Sequence, residues 1–169
     1  MSGDVRALRL VVMRHAKSAW GDESMDDHER PLNERGRGDA PRIAARLAEL
    51  GWSPDLIWSS DAVRTRETAE RMLPAFDDAP QVTFDPGLYL AGFGAIQEAA
   101  ERWPGAARTV LVLGHNPGWE QTASLLAGRS IGMTTANAVL FEGAGDEAAW
   151  ATAIQDAWTL VDVLRPKEL

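Results

Sequence analysis

Three apolar runs in this chain each end on residues able to bind or attack a phosphoryl group. Leu10 to Met13 stops at Arg14-His15, within L-V-V-M-R-H-A-K-S. Thr109 to Leu113 stops at Gly114-His115, within G-H-N-P-G. Asp55 to Trp58 closes at Ser59-Ser60 and leads through a short turn to Arg64. Arg offers a planar fork of donors that matches phosphate oxygens, so Arg14 and Arg64 are candidates for a bidentate clamp. A neutral imidazole can attack phosphorus if one nitrogen is free and an acceptor holds the other N–H. His15 is the candidate nucleophile, and His115 a candidate donor to the equatorial oxygens of the transition state. Ser18, in the first stretch, and Asn116 are further candidate phosphate ligands. Asn116-Pro117 at a helix start would add free backbone N–H groups and a positive dipole end. Phosphoryl transfer asks mainly for positioning and charge stabilisation, so two Arg and two His suffice without a metal or cofactor.

Taken singly, each residue has an ordinary reading. Arg14-His15 could be a surface pair, His115 a satisfied turn histidine, and Arg64, beside Arg66 and Glu67, part of a solvated helix face. Their shared placement carries the argument. In a parallel sheet all strand C-termini face one edge, and ligands bind there.

The elements that must position them follow from hydrophobic periodicity. Strands are predicted at Leu10–Met13, Asp55–Trp58, Gln81–Phe84, Thr109–Leu113, Ala138–Phe141 and Trp158–Leu164. A helix capped by Asn33 places Ile43, Leu47 and Leu50 on one face and ends at Gly51. Further helices are predicted at Asp61–Leu73, Ala95–Trp103, Pro117–Ala127 and Glu147–Gln155, with Asn116 capping the fourth of these five. Gly87 to Gly94 reads as an irregular, lid-like segment. Strands alternating with helices in this way predict a three-layer α/β/α sandwich around a mostly parallel sheet of about six strands. One domain over residues 1–169 is expected.

Composition excludes several classes. No cysteine is present, which removes disulfides, thiolate metal sites and Cys-nucleophile phosphatase chemistry. The His count is too low, and no carboxylate–His spacing motif is present, for a metal site. A net charge of −8 argues against nucleic acid as a partner. No apolar run approaches a membrane span and the N-terminus, which carries Asp4, is not a secretory signal, so a cytoplasmic location is expected. The loop Ala19 to Arg30 holds Asp22, Glu23, Asp26, Asp27 and Glu29. It reads as a solvated acidic loop, or as a source of a general acid or a charge screen on substrates. His28 reads as surface, and Trp52, Trp58 and Trp158 as core. Trp20 and Trp119 lie close enough to the motifs to line a pocket.

R-H-A-K-S at Arg14–Ser18, R-P-L-N-E-R-G at Arg30–Gly36, S-S-D-A-V-R-T-R-E-T-A at Ser59–Ala69 and V-L-G-H-N-P-G at Val112–Gly118 follow one another in a fixed order. Together they resemble the histidine phosphatase superfamily, which includes the cofactor-dependent phosphoglycerate mutases. More closely, they resemble its short SixA-type phosphohistidine phosphatases. The resemblance implies the phosphoglycerate mutase-like fold and a transient phosphohistidine on His15 that water hydrolyses. It implies that Arg14, Arg64 and His115 hold the phosphate without metal or diffusible cofactor. The substrate it implies is a phosphorelay-type phosphohistidine protein or a small phosphate ester.

The chain departs from the mutase-like members at two points. They carry a Glu general acid where this chain has L-Y-L-A-G at Leu88–Gly92, and an Asn where Gly21 follows Trp20. An alkoxide leaving group needs a proton donor, whereas a phosphoramidate nitrogen accepts a proton readily. The departure therefore suits an N–P substrate, and the lack of large insertions suits an open site facing a protein. Two other readings stay open. One is a phosphomonoesterase for a small metabolite, with an acid from the Asp22–Asp27 loop or Glu120. The other is a phosphate-binding interaction module without turnover.

Overall fold

The structure is a computed structural model that describes residues 7–143 and 149–169. Strands β1 (Arg9–Arg14), β2 (Leu56–Ser60), β3 (Gln81–Asp85), β4 (Thr109–Gly114), β5 (Ala138–Gly143) and β6 (Trp158–Leu164) form one sheet in the order β3-β2-β4-β1-β5-β6. The β1–β4, β2–β4 and β2–β3 pairs are parallel, while β1–β5 and β5–β6 are antiparallel. The sheet is thus mixed, with β5 alone running against the rest. The expected convergence needs only β1, β2 and β4 to be co-directional, and they are.

Alternation along the central strands builds two cores. Leu10, Val12, Val110, Val112 and Trp58 face one side, while Val11, Met13, Leu111, Leu113 and Ile57 face the other. Burial on both faces is what continuous apolar runs at the middle of a parallel sheet require. Helices α1 (Glu34–Glu49) and α2 (Val63–Met72) cover the second side. Helices α3 (Phe93–Ala100), α4 (Gly118–Ala127) and α5 (Trp150–Ala153) cover the first. The result is the three-layer α/β/α arrangement.

Several boundaries move for local reasons. Helix α1 begins as expected, with Asn33 Oδ1 accepting the Gly36 amide at 2.9 Å. Helix α2 starts at Val63 because Ala62 N–H and Thr65 Oγ–H bond to Ser60, which holds Asp61 and Ala62 in a turn. The run predicted at Ala95–Trp103 is helical over Phe93–Ala100, and Trp103 instead stacks edge-on against Trp150. Helix α4 starts one residue late, after a cis Asn116-Pro117 bond, and Asn116 Oδ1 accepts the Glu120 amide at 3.2 Å. Of the helix predicted at Glu147–Gln155, residues 147 and 148 lie outside the described residues, and Trp150–Ala153 is helical. The segment expected to be lid-like forms a 3₁₀ turn at Pro86–Leu88 and then packs on the start of α4. A Cβ on Gly118 would sit 1.8 Å from the Ala91 carbonyl, so only glycine permits that approach. Among the described residues no helix is long and apolar enough to cross a membrane.

Candidate active site

The sheet register does most of the assembly. Arg14 lies opposite Gly114 in the β1–β4 pair, and the His15 amide donates to the Gly114 carbonyl at 3.1 Å. The two histidines that follow these positions therefore come out side by side, with ring centroids 5.3 Å apart. Ser59 lies opposite Leu113, which brings Ser60 beside His115. One turn into α2, Arg64 reaches the same edge, and Thr68 ties that helix to the loop that follows β1. Its Oγ accepts the Ala16 amide at 3.1 Å and donates to the Arg64 carbonyl at 2.7 Å.

His15 is 5% exposed, and its Nδ1 lies 2.6 Å from the Ala16 carbonyl. A carbonyl oxygen can only accept, so Nδ1 carries the proton and Nε2 keeps the lone pair. Burial pushes the His15 pKa down to about 3, with Arg64, Arg14 and Arg30 opposing the cation further. The imidazole is neutral at physiological pH, as a nucleophile needs. His115 is also lowered to about 3, by burial first and then by His15 and Arg64. Its Nε2 lies 2.8 Å from Ser60 Oγ, which itself accepts the Ala62 amide. A hydroxyl can still accept a second time or donate, and when Ser60 donates to Nε2 the His115 proton sits on Nδ1.

Three buried nitrogens here have no hydrogen-bond partner among the described residues: Arg14 Nε, Arg64 Nε and His115 Nδ1. Buried donors left unsatisfied are costly, so an anion that accepted from them would be stabilised there. Other contacts aim these groups. Arg14 Nη1 donates to the Met133 carbonyl at 3.1 Å, and Arg64 donates through Nη1 and Nη2 to the carbonyl and carboxylate of Asp27.

The sequence-predicted residues divide. Arg14, His15, Arg64 and His115 are brought together. Ser18 is buried next to them, and its Oγ accepts from Arg30 Nη1 at 2.8 Å. Asn116 adjoins His115 but is bonded within the chain at both ends of its amide, to the Met133 carbonyl and the Glu120 amide. Glu120, considered as an acid, accepts the Met133 amide instead. Trp119 is core, fully buried under Gly114, while Trp20 is exposed and stacks on Arg30 at 3.8 Å. His28 lies on the rim, 2.8 Å from Asp61 and edge-on to Tyr89.

Three residues that sequence reasoning did not single out enter the site: Asp27, Arg30 and Tyr89. The Asp27 carboxylate accepts from Arg64, Arg30 and the Tyr89 hydroxyl. A local signal existed for Arg30, which opens the R-P-L-N-E-R-G motif. Beside this network a cleft of about 640 Å³, lined by Trp20, Asp22, Met25, Asp27 and Arg30, opens to solvent.

Comparison with known proteins assigns the class. Residues 10–130 match the model of the histidine phosphatase superfamily, branch 1, and the chain belongs to that family. Membership brings phosphatase-type hydrolase chemistry with it. Within the family the chain is SixA-like. It superposes on a structure described as a phosphohistidine phosphatase SixA from Agrobacterium tumefaciens, with a TM-score of 0.77 and 28% identity over 95% of this chain and 99% of that one. A second such structure, from Nakamurella multipartitia, gives a TM-score of 0.80 and 28% identity, covering 98% of each chain. An uncharacterized chloroplastic protein of Arabidopsis thaliana is 40% identical, over 94% of this chain and 78% of its own length.

Proposed function

We propose that the protein is a metal-independent protein phosphohistidine phosphatase of the phosphorelay type, with His15 as the transiently phosphorylated residue. One observation carries this reading. A neutral His15, its Nδ1–H held by the Ala16 carbonyl, faces three unsatisfied donors, while Asp27, the carboxylate touching the clamp, is kept ionised. Burial works against that ionisation, but hydrogen bonds from Tyr89, Arg64 and Arg30 outweigh it and hold the carboxyl well below the usual range. An ionised carboxylate cannot protonate a leaving alkoxide.

A substrate phosphohistidine needs no such help. With a proton on its other ring nitrogen it departs as a neutral imidazole. His15 Nε2 attacks phosphorus in line as the substrate N–P bond breaks, and Arg14, Arg64 and His115 carry the charge on the equatorial oxygens. The phosphorylated His15 is then an imidazolium whose Nδ1–H remains on Ala16. Water attacks phosphorus, the N–P bond breaks, and His15 leaves as the neutral tautomer it began as. Both half-reactions thus expel neutral imidazole. Ser18 serves this seat through Arg30, and Asn116 through the Met133 loop. The open cleft beside Arg30 suits a protein surface better than a small metabolite.

On this reading the cytoplasm is the expected place of action, although the Arabidopsis relative is named chloroplastic. The test is a comparison of kcat/KM for a phosphohistidine protein or phosphoramidate against aryl and sugar phosphates. The N–P substrates should turn over faster. If the esters are turned over far faster, the enzyme is a phosphomonoesterase. Tight phosphate binding without turnover would make it a binding module.

A further inference from the structure

Asp27 has a second feature that the reaction above does not use. Its bonds to Arg64 consume one edge of the guanidinium. Nη1 donates to the Asp27 backbone carbonyl at 2.6 Å and Nη2 to the carboxylate at 2.9 Å, while Nε stays buried and unpartnered. We propose that Asp27 is a positioning residue for the phosphate clamp, gripping Arg64 by its Nη edge so that Nε–H is presented to the phosphoryl oxygens. The proposal rests on Arg64 being a phosphate ligand.

The geometry separates this role from two others. An anion standing in for the substrate would occupy the donors that the phosphate needs. Here Arg14 Nε, Arg64 Nε and His115 Nδ1 are all left free. Half of the grip comes from a backbone carbonyl, which does not leave when a carboxylate swings away. The Arg64 side chain is 3% exposed and that of Asp27 47%, so the carboxylate lies on the outer side of the guanidinium. A proton donor, in turn, would have to be protonated. The charged and titratable groups facing Asp27 come from each neighbouring element and favour its anion: Arg30 on its own loop, Arg64 on α2, and the Tyr89 hydroxyl beyond the 3₁₀ turn. His115, across the pocket, is neutral. His28, the next residue, bonds Asp61 rather than Asp27.

The same carboxylate organises the second cation. Arg30 Nη2 donates to Asp27 Oδ1 at 2.8 Å, while its Nη1 holds Ser18 and its plane lies under Trp20. A single negative charge thus fixes two guanidinium groups and a phenol, drawn from three stretches of the chain. An Asn can copy its shape but cannot accept from both cations at once, because half of its head is a donor.

The experiment compares wild type, Asp27→Asn, Asp27→Glu and Tyr89→Phe by two readouts. One is orthovanadate affinity by titration calorimetry. The other is kcat/KM over phosphoramidates and aryl phosphates of graded leaving-group basicity. Asp27→Asn should weaken vanadate and lower kcat/KM by about 10- to 100-fold, the scale of a clamp displaced by an ångström. The loss should be equal for every leaving group, with Tyr89→Phe smaller in the same direction and Asp27→Glu partly restoring. Vanadate binding tighter in Asp27→Asn would overturn the proposal in favour of an internal competitor. A loss that grows with leaving-group basicity would overturn it in favour of a proton donor. If Asp27→Asn does not fold, Tyr89→Phe decides: unchanged vanadate affinity there refutes the grip. Calorimetry reads the clamp without turnover, so a failure of the phosphohistidine reading would appear separately, as poor kinetics in a wild type that still binds vanadate.

Discussion

Replacing Arg64 by Ala removes the most deeply buried cation of the site. Its side chain is 3% exposed, is held by two hydrogen bonds to Asp27, and keeps one unsatisfied Nε–H beside the two histidines. Loss of one preorganised donor costs about 2.7–4 kcal/mol in the transition state, or roughly 10²–10³ in kcat. Arg64 also carries a full charge on a buried side chain, and its loss strips the Asp27 carboxylate of one of two cations. The expected effect therefore lies at the upper end. The fold should survive, because Thr68 still bonds the residue 64 carbonyl and the Ala16 amide. Arg64→Lys restores charge but not the fork, and one ammonium cannot grip Asp27 twice and an anion as well. It should recover a minor part of the loss. The assay is steady-state kcat and kcat/KM on phosphoramidate, with circular dichroism as the control for folding. A near-normal rate in a folded Arg64→Ala variant would remove Arg64 from the phosphate seat and refute the clamp.

Further outcomes follow from the same geometry. The free enzyme's kcat/KM, corrected for substrate ionisation, should stay level through pH 6.5, because burial lowers His15 and His115 to about 3; an acid limb centred on 6.5 would contradict this. In the unfolded chain both imidazoles return to their ordinary value and bind protons that the folded chain refuses. Stability from this source is whole above pH 6.5 and is lost as pH falls toward 3, by up to about 1.4 kcal/mol per pH unit for each histidine. Urea unfolding at several pH values should show a shallower slope in His15→Asn than in wild type. Gly118→Ala should destabilise by about 1–3 kcal/mol, since its Cβ would strike the Ala91 carbonyl, and should slow turnover by shifting Tyr89; thermal denaturation and kinetics check both. Asn33→Ala should lower stability by about 0.5–2 kcal/mol through loss of the α1 cap and leave kcat unchanged, read by urea unfolding and the same assay.

The parts of this molecule that were legible in sequence are those with a local cause. Strands β1 and β4 are apolar on successive residues because both faces are covered, and the Arg-His and Gly-His breaks mark where they emerge. Parallel pairing then carries His15, Arg64 and His115 to one edge without further information. Strand direction is different. Ala138 to Phe141 reads as a buried strand in either orientation, so the reversal of β5 is set by tertiary pairing with β1 and β6. Trp119 stands beside a motif but is core, because Gly114 leaves a hollow for its indole. Asp27 and Asp26 are neighbours of the same type in an acidic loop, and nothing nearby distinguishes them. What does is Arg64, 37 positions away, and Tyr89, 62 positions away. The tautomer of His15 is set by the carbonyl of the next residue, a matter of backbone direction that composition does not encode.

The central claim is that His15 takes the phosphoryl group through Nε2. Rapid quench of the enzyme with radiolabelled phosphoramidate tests it most directly. An acid-labile, alkali-stable phosphoenzyme should form, decay at the rate of turnover, and be absent in His15→Ala. Turnover with no such species in wild type, or the same species persisting in His15→Ala, would contradict the account.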